Sequence, residues 1–251
     1  MDLDRIKNLV KQSISRLLRE IENKEEFDYL LDLGADVNAN LSFEGFNGTS
    51  TPLHKAKTEE QVRLFLEAGA DVNARNEYDL TPLHNAKTEG ITRLLLQAGA
   101  DVNPKSIENY TPLHCSNEGQ KRLLLEAGAD VNARNDYDIT PLHYAQTENE
   151  TKLLLDHGAN VNARNHNGET PLHFAKSEKQ TRLLLEAGAD VNAKTITSYT
   201  PLYLFRSENI TKLLLESGVD VNAKNKNGYT PLHYAKIEGQ VKALLEAGGT
   251  L

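Results

Sequence analysis

Residues 51–76 read TPLHKAKTEEQVRLFLEAGADVNARN, and most of this phrase returns further along the chain. T-P-L recurs at Thr51, Thr81, Thr111, Thr140, Thr170, Thr200 and Thr230, spaced by 30, 30, 29, 30, 30 and 30 residues. A second phrase, G-x-[DN]-V-N, keeps step from Gly34, Gly69, Gly99, Gly128, Gly158, Gly188 and Gly218. A fixed period of this length marks a stacked-repeat solenoid. Such a fold offers a long surface rather than one enclosed pocket.

The local chemistry of one unit fits two helices. In the unit at Thr81, Pro82 suits a first helical position, where its missing N–H costs nothing. Leu83 and Ala86 give a small apolar face. Thr88 reads as the N-cap of a second helix, with Thr58, Asn117, Thr147, Ser177 and Ser207 at the equivalent position and Ile237 as the exception. Gln61, Gln120, Glu150 and Gln180 stand three residues on, the spacing of a capping box. Gln240 shares that position without a capping partner. A glutamate follows every cap (Glu59, Glu89, Glu118, Glu148, Glu178, Glu208, Glu238), and a base follows four residues later. Such pairs contribute about 0.2–0.5 kcal/mol each, so this ladder reads as a solvated helix face. Leucine runs such as Leu94–Leu96 are expected to face neighbouring units, and Gly99 to stop the helix in a left-handed conformation.

These phrases carry a family resemblance. T-P-L-H-x-A, followed by G-A-D-V-N-A, closely resembles the ankyrin repeat, from about Asp28 to the C-terminus. The period of 30 departs from the family's usual length of about 33, the shortfall falling between the two helices of each unit. The expected fold is therefore an all-α ankyrin-type helix-turn-helix solenoid with short β-hairpin-like loops and about eight helix pairs. The expected organisation is capping helices and a loop over 1–50, six repeats over 51–229 and a C-terminal capping repeat over 230–251. In the cap, Ile6, Val10, Ile14, Leu17 and Ile21 recur at helical spacing, predicting an amphipathic helix paired with a second over Glu25–Leu33.

Composition narrows the function. The net charge of −8 opposes long-range attraction to nucleic acid or an anionic membrane. No stretch has the length and apolarity of a membrane span. A single cysteine, Cys115, permits no intrachain disulfide, and the opening MDLDRIKNLV lacks a signal-peptide core. The expected compartment is the cytoplasm, with a secreted effector as the alternative.

No catalytic motif is found, and the expectation is a non-enzyme without metal or cofactor. Six of the eight histidines, His54, His84, His114, His143, His173 and His233, are the fourth letter of T-P-L-H. Spread one per layer, they do not converge as zinc ligands must. Each is expected to hold its own turn, as the resemblance also implies. Cys115 beside His114 is not a nucleophile pair, since sequence neighbours on a helix do not face each other.

The departures lie in the loops before T-P-L. The resemblance implies a D-x-x-G-type turn, which Asn167-Gly168 and Asn227-Gly228 keep. Elsewhere Tyr78, Ile107, Tyr137 and Ile196 stand at the tips, with Tyr110 and Tyr199 beside them. Interface contact and lateral packing are the two readings of these residues. Ser106 and Thr195 lie 89 residues apart in matching loops, a sign of block duplication. Phe43 and Phe46, in a longer insert before Thr51, are a second candidate contact. Lys57, Lys87, Lys176, Arg206 and Lys236 recur near the end of the first helix, either as a basic row facing an acidic partner or as a solvated one.

The resemblance implies a protein-binding module that works through a concave face of loop tips and first helices. The chain is expected to be a monomer with a protein partner. The alternative is a structural or self-assembling spacer joined through the N-terminal helix. A scaffold, a host-directed effector and a toxin-neutralising protein all fit the same module. The resemblance also makes Asn73, Asn132 and their equivalents potential substrates of an asparaginyl hydroxylase, although their default role is hydrogen bonding in the loop.

Overall fold

The computed structural model describes residues 3–42 and 49–251. The chain forms two compact units, Met1–Asp130 and Val131–Leu251, each a stack of the repeats read above.

Every repeat has a nine-residue second helix. In the first unit these are Glu59–Glu67, Glu89–Gln97 and Glu118–Glu126; in the second, Glu148–Asp156, Glu178–Glu186, Glu208–Glu216 and Glu238–Glu246. The first helix of each pair is reduced to a single turn, such as Pro52–Lys55, Pro112–Cys115 and Pro171–Phe174. The missing residues are therefore lost at this short helix and the connector after it. As a result Lys57, Lys87, Lys176, Arg206 and Lys236 fall in the connector rather than on a helix.

Two leucine columns make the core. One is the T-P-L leucine, with Leu113, Leu172 and Leu202 at 1 % exposure or less; the other is the middle leucine of the runs, with Leu95, Leu124, Leu154, Leu184, Leu214 and Leu244 equally buried. Each buried leucine contributes about 1.5–3 kcal/mol relative to exposure. The helix then stops as expected. Gly69 takes φ +82°. Its N–H donates to Leu66 O at 3.0 Å, and Ala70 N–H to Phe65 O at 2.9 Å, a Schellman pair.

The N-caps are as read. Thr58, Thr88, Asn117, Thr147, Ser177 and Ser207 each accept the N–H three residues on, and Ile237 does not. The capping boxes need correction. Only Asn117 and Gln120 bond reciprocally. Gln61, Glu150 and Gln180 accept instead from Lys57, Gln146 and Lys176, one residue before the cap. The cap backbone explains the difference. Asn117 sits at φ −79°, whereas Thr58, Thr147 and Ser177 lie between −125° and −141°, which brings the preceding N–H within reach instead. The freed Nε2 of the glutamine ties repeats together: Gln61 donates to Ile21 O, Gln120 to Ala86 O and Gln180 to Ala145 O, at 2.8–3.0 Å.

The charge ladder is partial among the described residues. Arg63–Glu59, Arg122–Glu118, Arg182–Glu178 and Lys212–Glu208 form pairs at 2.6–3.8 Å, while Lys242 turns to Glu246. Exposed pairs of this kind contribute little stability.

A second ladder runs through the G-x-[DN]-V-N asparagines. Asn38 donates from Nδ2 to Gly69 O at 3.0 Å and accepts Asp71 N–H at 2.8 Å. Asn73, Asn162, Asn192 and Asn222 repeat both bonds with the glycine and the residue two beyond it in the following repeat. Both ends of each amide are thus committed between repeats.

The N-terminal cap is the expected helix pair, Leu3–Leu17 and Lys24–Asp32, joined by a 3-10 turn over Leu18–Glu20. Its apolar face is less buried than the spacing suggests. Ser15, Leu18 and Ile21 face inward, but Val10 and Leu17 are exposed. On the second helix, Phe27 packs against Phe65 with ring centroids 5.9 Å apart. The only strands among the described residues are Leu41–Ser42 and Thr49–Ser50, paired antiparallel.

Candidate binding face

The six loops before the T-P-L phrases from Thr81 to Thr230 are each built on one polar side chain. Asn76 Oδ1 accepts the N–H groups of Tyr78 and Leu80 at 2.9 and 3.0 Å, and Asn135, Asn165 and Asn225 do the same two and four residues on. Ser106 and Thr195 reproduce one of those bonds through a hydroxyl. The backbone closes the loop as well, Asn76 N–H donating to Leu80 O at 3.0 Å. With the N–H groups taken in this way, no strand forms in these six loops.

The tips differ in sequence but not in turn. Gly168 and Gly228 take φ +74° and +80°; Asp79, Asn109, Asp138 and Ser198 hold the same place at φ 54–63°. Asp and Asn tolerate this left-handed region better than most residues. The departure from the D-x-x-G pattern is therefore one of side chains, carried on a common backbone. Adjacent tips join through the main chain: Ile107 N–H to Tyr78 O, His166 N–H to Tyr137 O, Ile196 N–H to Asn167 O.

On this satisfied backbone, Tyr78, Ile107, Tyr137 and Ile196 are 41–58 % exposed. Tyr110 and Tyr199 are half-buried and pack laterally. Tyr110 stands edge-on to His114 at 5.7 Å. Tyr199 lies 4.9 Å from Tyr203 and 5.6 Å from Tyr234, its hydroxyl 2.7 Å from that of Tyr234. Phe43 and Phe46 lie outside the described residues. In the basic row, Lys57 stands 3.8 Å from Glu20 and Lys176 bonds Gln146. Lys87, Arg206 and Lys236 are exposed.

The histidines do more than hold their own turn. Nδ1 accepts the threonine N–H that opens each T-P-L-H, at 3.0–3.3 Å. That leaves the proton on Nε2, which donates to a carbonyl 26 residues on: His54 to Leu80, His84 to Tyr110, His143 to Glu169 and His173 to Tyr199. Burial holds the pKa of these four below its ordinary value, that of His143 at about 4. A neutral imidazole with both nitrogens engaged is a strut. No group of three potential metal ligands occurs among the described residues. The Cys115 thiol is pushed up in pKa by desolvation, against a small opposing effect of Lys121, the reverse of an activated nucleophile.

One column was missed by reading the sequence. The letter after T-P-L-H, or T-P-L-Y at Thr200, is Lys55, Asn85 and Cys115 in the first unit, but Tyr144, Phe174, Leu204 and Tyr234 in the second. Phe174 and Leu204 are exposed, with Tyr229 beside them in the column before T-P-L. The ring of Phe174 stands edge-on to His143 at 5.8 Å, and Tyr229 lies 5.0 Å from His233. The signal was present as a period of 30, but in the variable letters between the repeated ones.

Known proteins match this geometry. The family described as Ankyrin repeats (3 copies) matches residues 57–135, 115–195 and 181–250. Among solved structures, the ankyrin repeat domain of Bcl-3, described as a unique member of the IkappaB protein family, is similar at 29% identity and a TM-score of 0.62. The match covers 78% of this chain and 98% of that one. No curated protein matches the chain. The repeated T-P-L-H struts, the asparagine ladder and the family match over most of the sequence converge: the chain belongs to the ankyrin repeat family.

Proposed function

We propose that the chain is a non-enzymatic module that binds a protein partner through the face carrying its single-turn helices and loop tips. Ankyrin repeats are in general protein–protein interaction modules. The observation that supports this face is the exposure of Tyr78, Ile107, Tyr137 and Ile196 on turns whose backbone is already bonded. Apolar surface left in water brings no folding gain, and burying one such side chain at an interface yields about 1.5–3 kcal/mol. No helix among the described residues is long and apolar enough to cross a membrane.

The test is capture and identification of the partner from native lysate, followed by Tyr78→Ala with Tyr137→Ala. Binding should weaken at least tenfold, about 1.4 kcal/mol, with the melting temperature almost unchanged. A large drop in melting temperature with binding intact would overturn this reading.

A second reading, self-assembly, rests on the N-terminal pair. Leu17, Tyr29 and Leu33 are exposed there, and Leu17, Ile21, Tyr29 and Leu30 line a shallow groove between Glu20 and Glu26. Molecular mass measured against concentration separates the two readings.

A further inference from the structure

We propose that Tyr144, Phe174, Leu204 and Tyr234 form a track for one extended peptide segment, with an apolar side chain at every third position and carboxylates between. This deepens the protein-binding reading and rests on it.

The track is confined to Val131–Leu251, where four successive repeats place an apolar side chain at one letter. Phe174 and Leu204 are exposed, so water, not the core, covers much of these side chains. Tyr199 and Tyr229 widen the strip; their rings lie 5.6 and 6.3 Å from Tyr234.

Spacing selects the shape of the occupant. Packed helix layers repeat at about 8–10 Å. A polyproline-II segment rises about 3.1 Å per residue with three residues per turn, so equivalent side chains recur at about 9 Å. Two residues of β-strand give about 6.6 Å and miss the period. A helix returns to register only after two turns, and its backbone is bonded internally. Polyproline-II segments are in general taken up by aromatic-lined grooves, which this strip resembles.

Charge selects the composition. The chain carries −8 overall, yet Lys176, Arg206 and Lys236 follow the track residues by two positions. The acids that come next on the same segments, Glu178 and Glu208, are held by Arg182 and Lys212 at 3.2 and 2.6 Å. The acids nearest Lys176 and Arg206 in sequence are thus already engaged, so this row of cations favours carboxylates between the apolar anchors.

The test is fluorescence anisotropy of the full chain with a labelled peptide of four Leu-Pro-Glu triplets. Two controls replace leucine by alanine, or glutamate by lysine. The Leu-Pro-Glu peptide should bind at least tenfold more tightly than either. Phe174→Ser with Leu204→Ser should weaken it at least tenfold. So should Arg206→Glu with Lys236→Glu, whose side chains stand in solvent and whose folding is checked by circular dichroism. Lys87→Glu, in the other unit, should change affinity less than twofold. Equal binding of the acidic and basic peptides, or unchanged affinity in the folded Arg206→Glu/Lys236→Glu protein, overturns the proposal. If no peptide binds while Tyr78→Ala/Tyr137→Ala still loses its captured partner, the track is wrong and the interaction reading stands.

Discussion

The repeats at Thr170 and Thr200 reach the same end by different chemistry. In the first, His173 accepts Thr170 N–H at Nδ1 and donates from Nε2 to Tyr199 O, with the Thr170 hydroxyl also 3.0 Å from Nδ1. In the second, Tyr203 replaces the histidine. Its hydroxyl stands 2.6 Å from Tyr229 O, the acceptor 26 residues on, and also meets Ala223 O. The carbonyl is served, but a phenol has no Nδ1. Thr200 Oγ1 is accordingly buried without a hydrogen-bond partner. Two of the other three such atoms among the described residues, Thr211 Oγ1 and Gln240 Oε1, lie in this repeat and the next. The bond between repeats is thus the part that is kept, and the bond within the turn is the part given up. The exchange also alters titration, since burial pushes the Tyr203 phenol up to about 12 while His143 falls to about 4.

Acid should expose this contrast most strongly. The folded pKa of His143 lies below its unfolded value of about 6.5, so the unfolded chain takes up the proton first. Its contribution is complete above about pH 6.5 and declines as the pH falls toward 4, a loss of about 3 kcal/mol. His54, His84 and His173 shift the same way. His143→Tyr should remove about that much of the fall in urea-unfolding free energy between pH 7 and pH 4.5. An unaltered pH profile would show that the strut does not titrate. At neutral pH, Tyr203→Phe strips the hydroxyl from the buried Ala223 carbonyl and the part-buried Tyr229 carbonyl and should cost about 1–3 kcal/mol in the same assay. The smallest effects separate the two threonines. Thr170→Val should cost about 1 kcal/mol, whereas Thr200→Val removes an unpartnered hydroxyl and should be neutral or slightly stabilising. Equal losses would show that the two hydroxyls are equivalent after all.

Much of this was legible in the letters. The caps at Thr58, Thr88 and Ser177 and the helix stop at Gly69 are local, and local chemistry repeats faithfully. The reach of Gln61 past its cap was not, because it follows from a cap φ set by packing. Nor was the destination of His54 Nε2, which lies in the next repeat. The loop tips stood out in the sequence by their side chains, yet their retained turn was hidden because Asp79 and Asn109 can adopt the glycine conformation. The apolar column from Tyr144 to Tyr234 was missed for a plainer reason. It lies in the variable letters between the repeated ones, and an apolar letter there does not by itself tell core from solvent; Phe174 and Leu204 stand exposed at their single turns.

The histidine, asparagine and glutamine ties have a kinetic consequence. The histidine bonds all span 26 residues, about a tenth of the 251-residue chain. The entropy of closing a loop grows only with the logarithm of its length, and here that length stays fixed however many repeats are added. Lengthening such a chain adds more short closures and no longer ones. Its search for the native state should therefore stay in the fast regime of low contact order, with folding starting wherever two neighbouring repeats first meet.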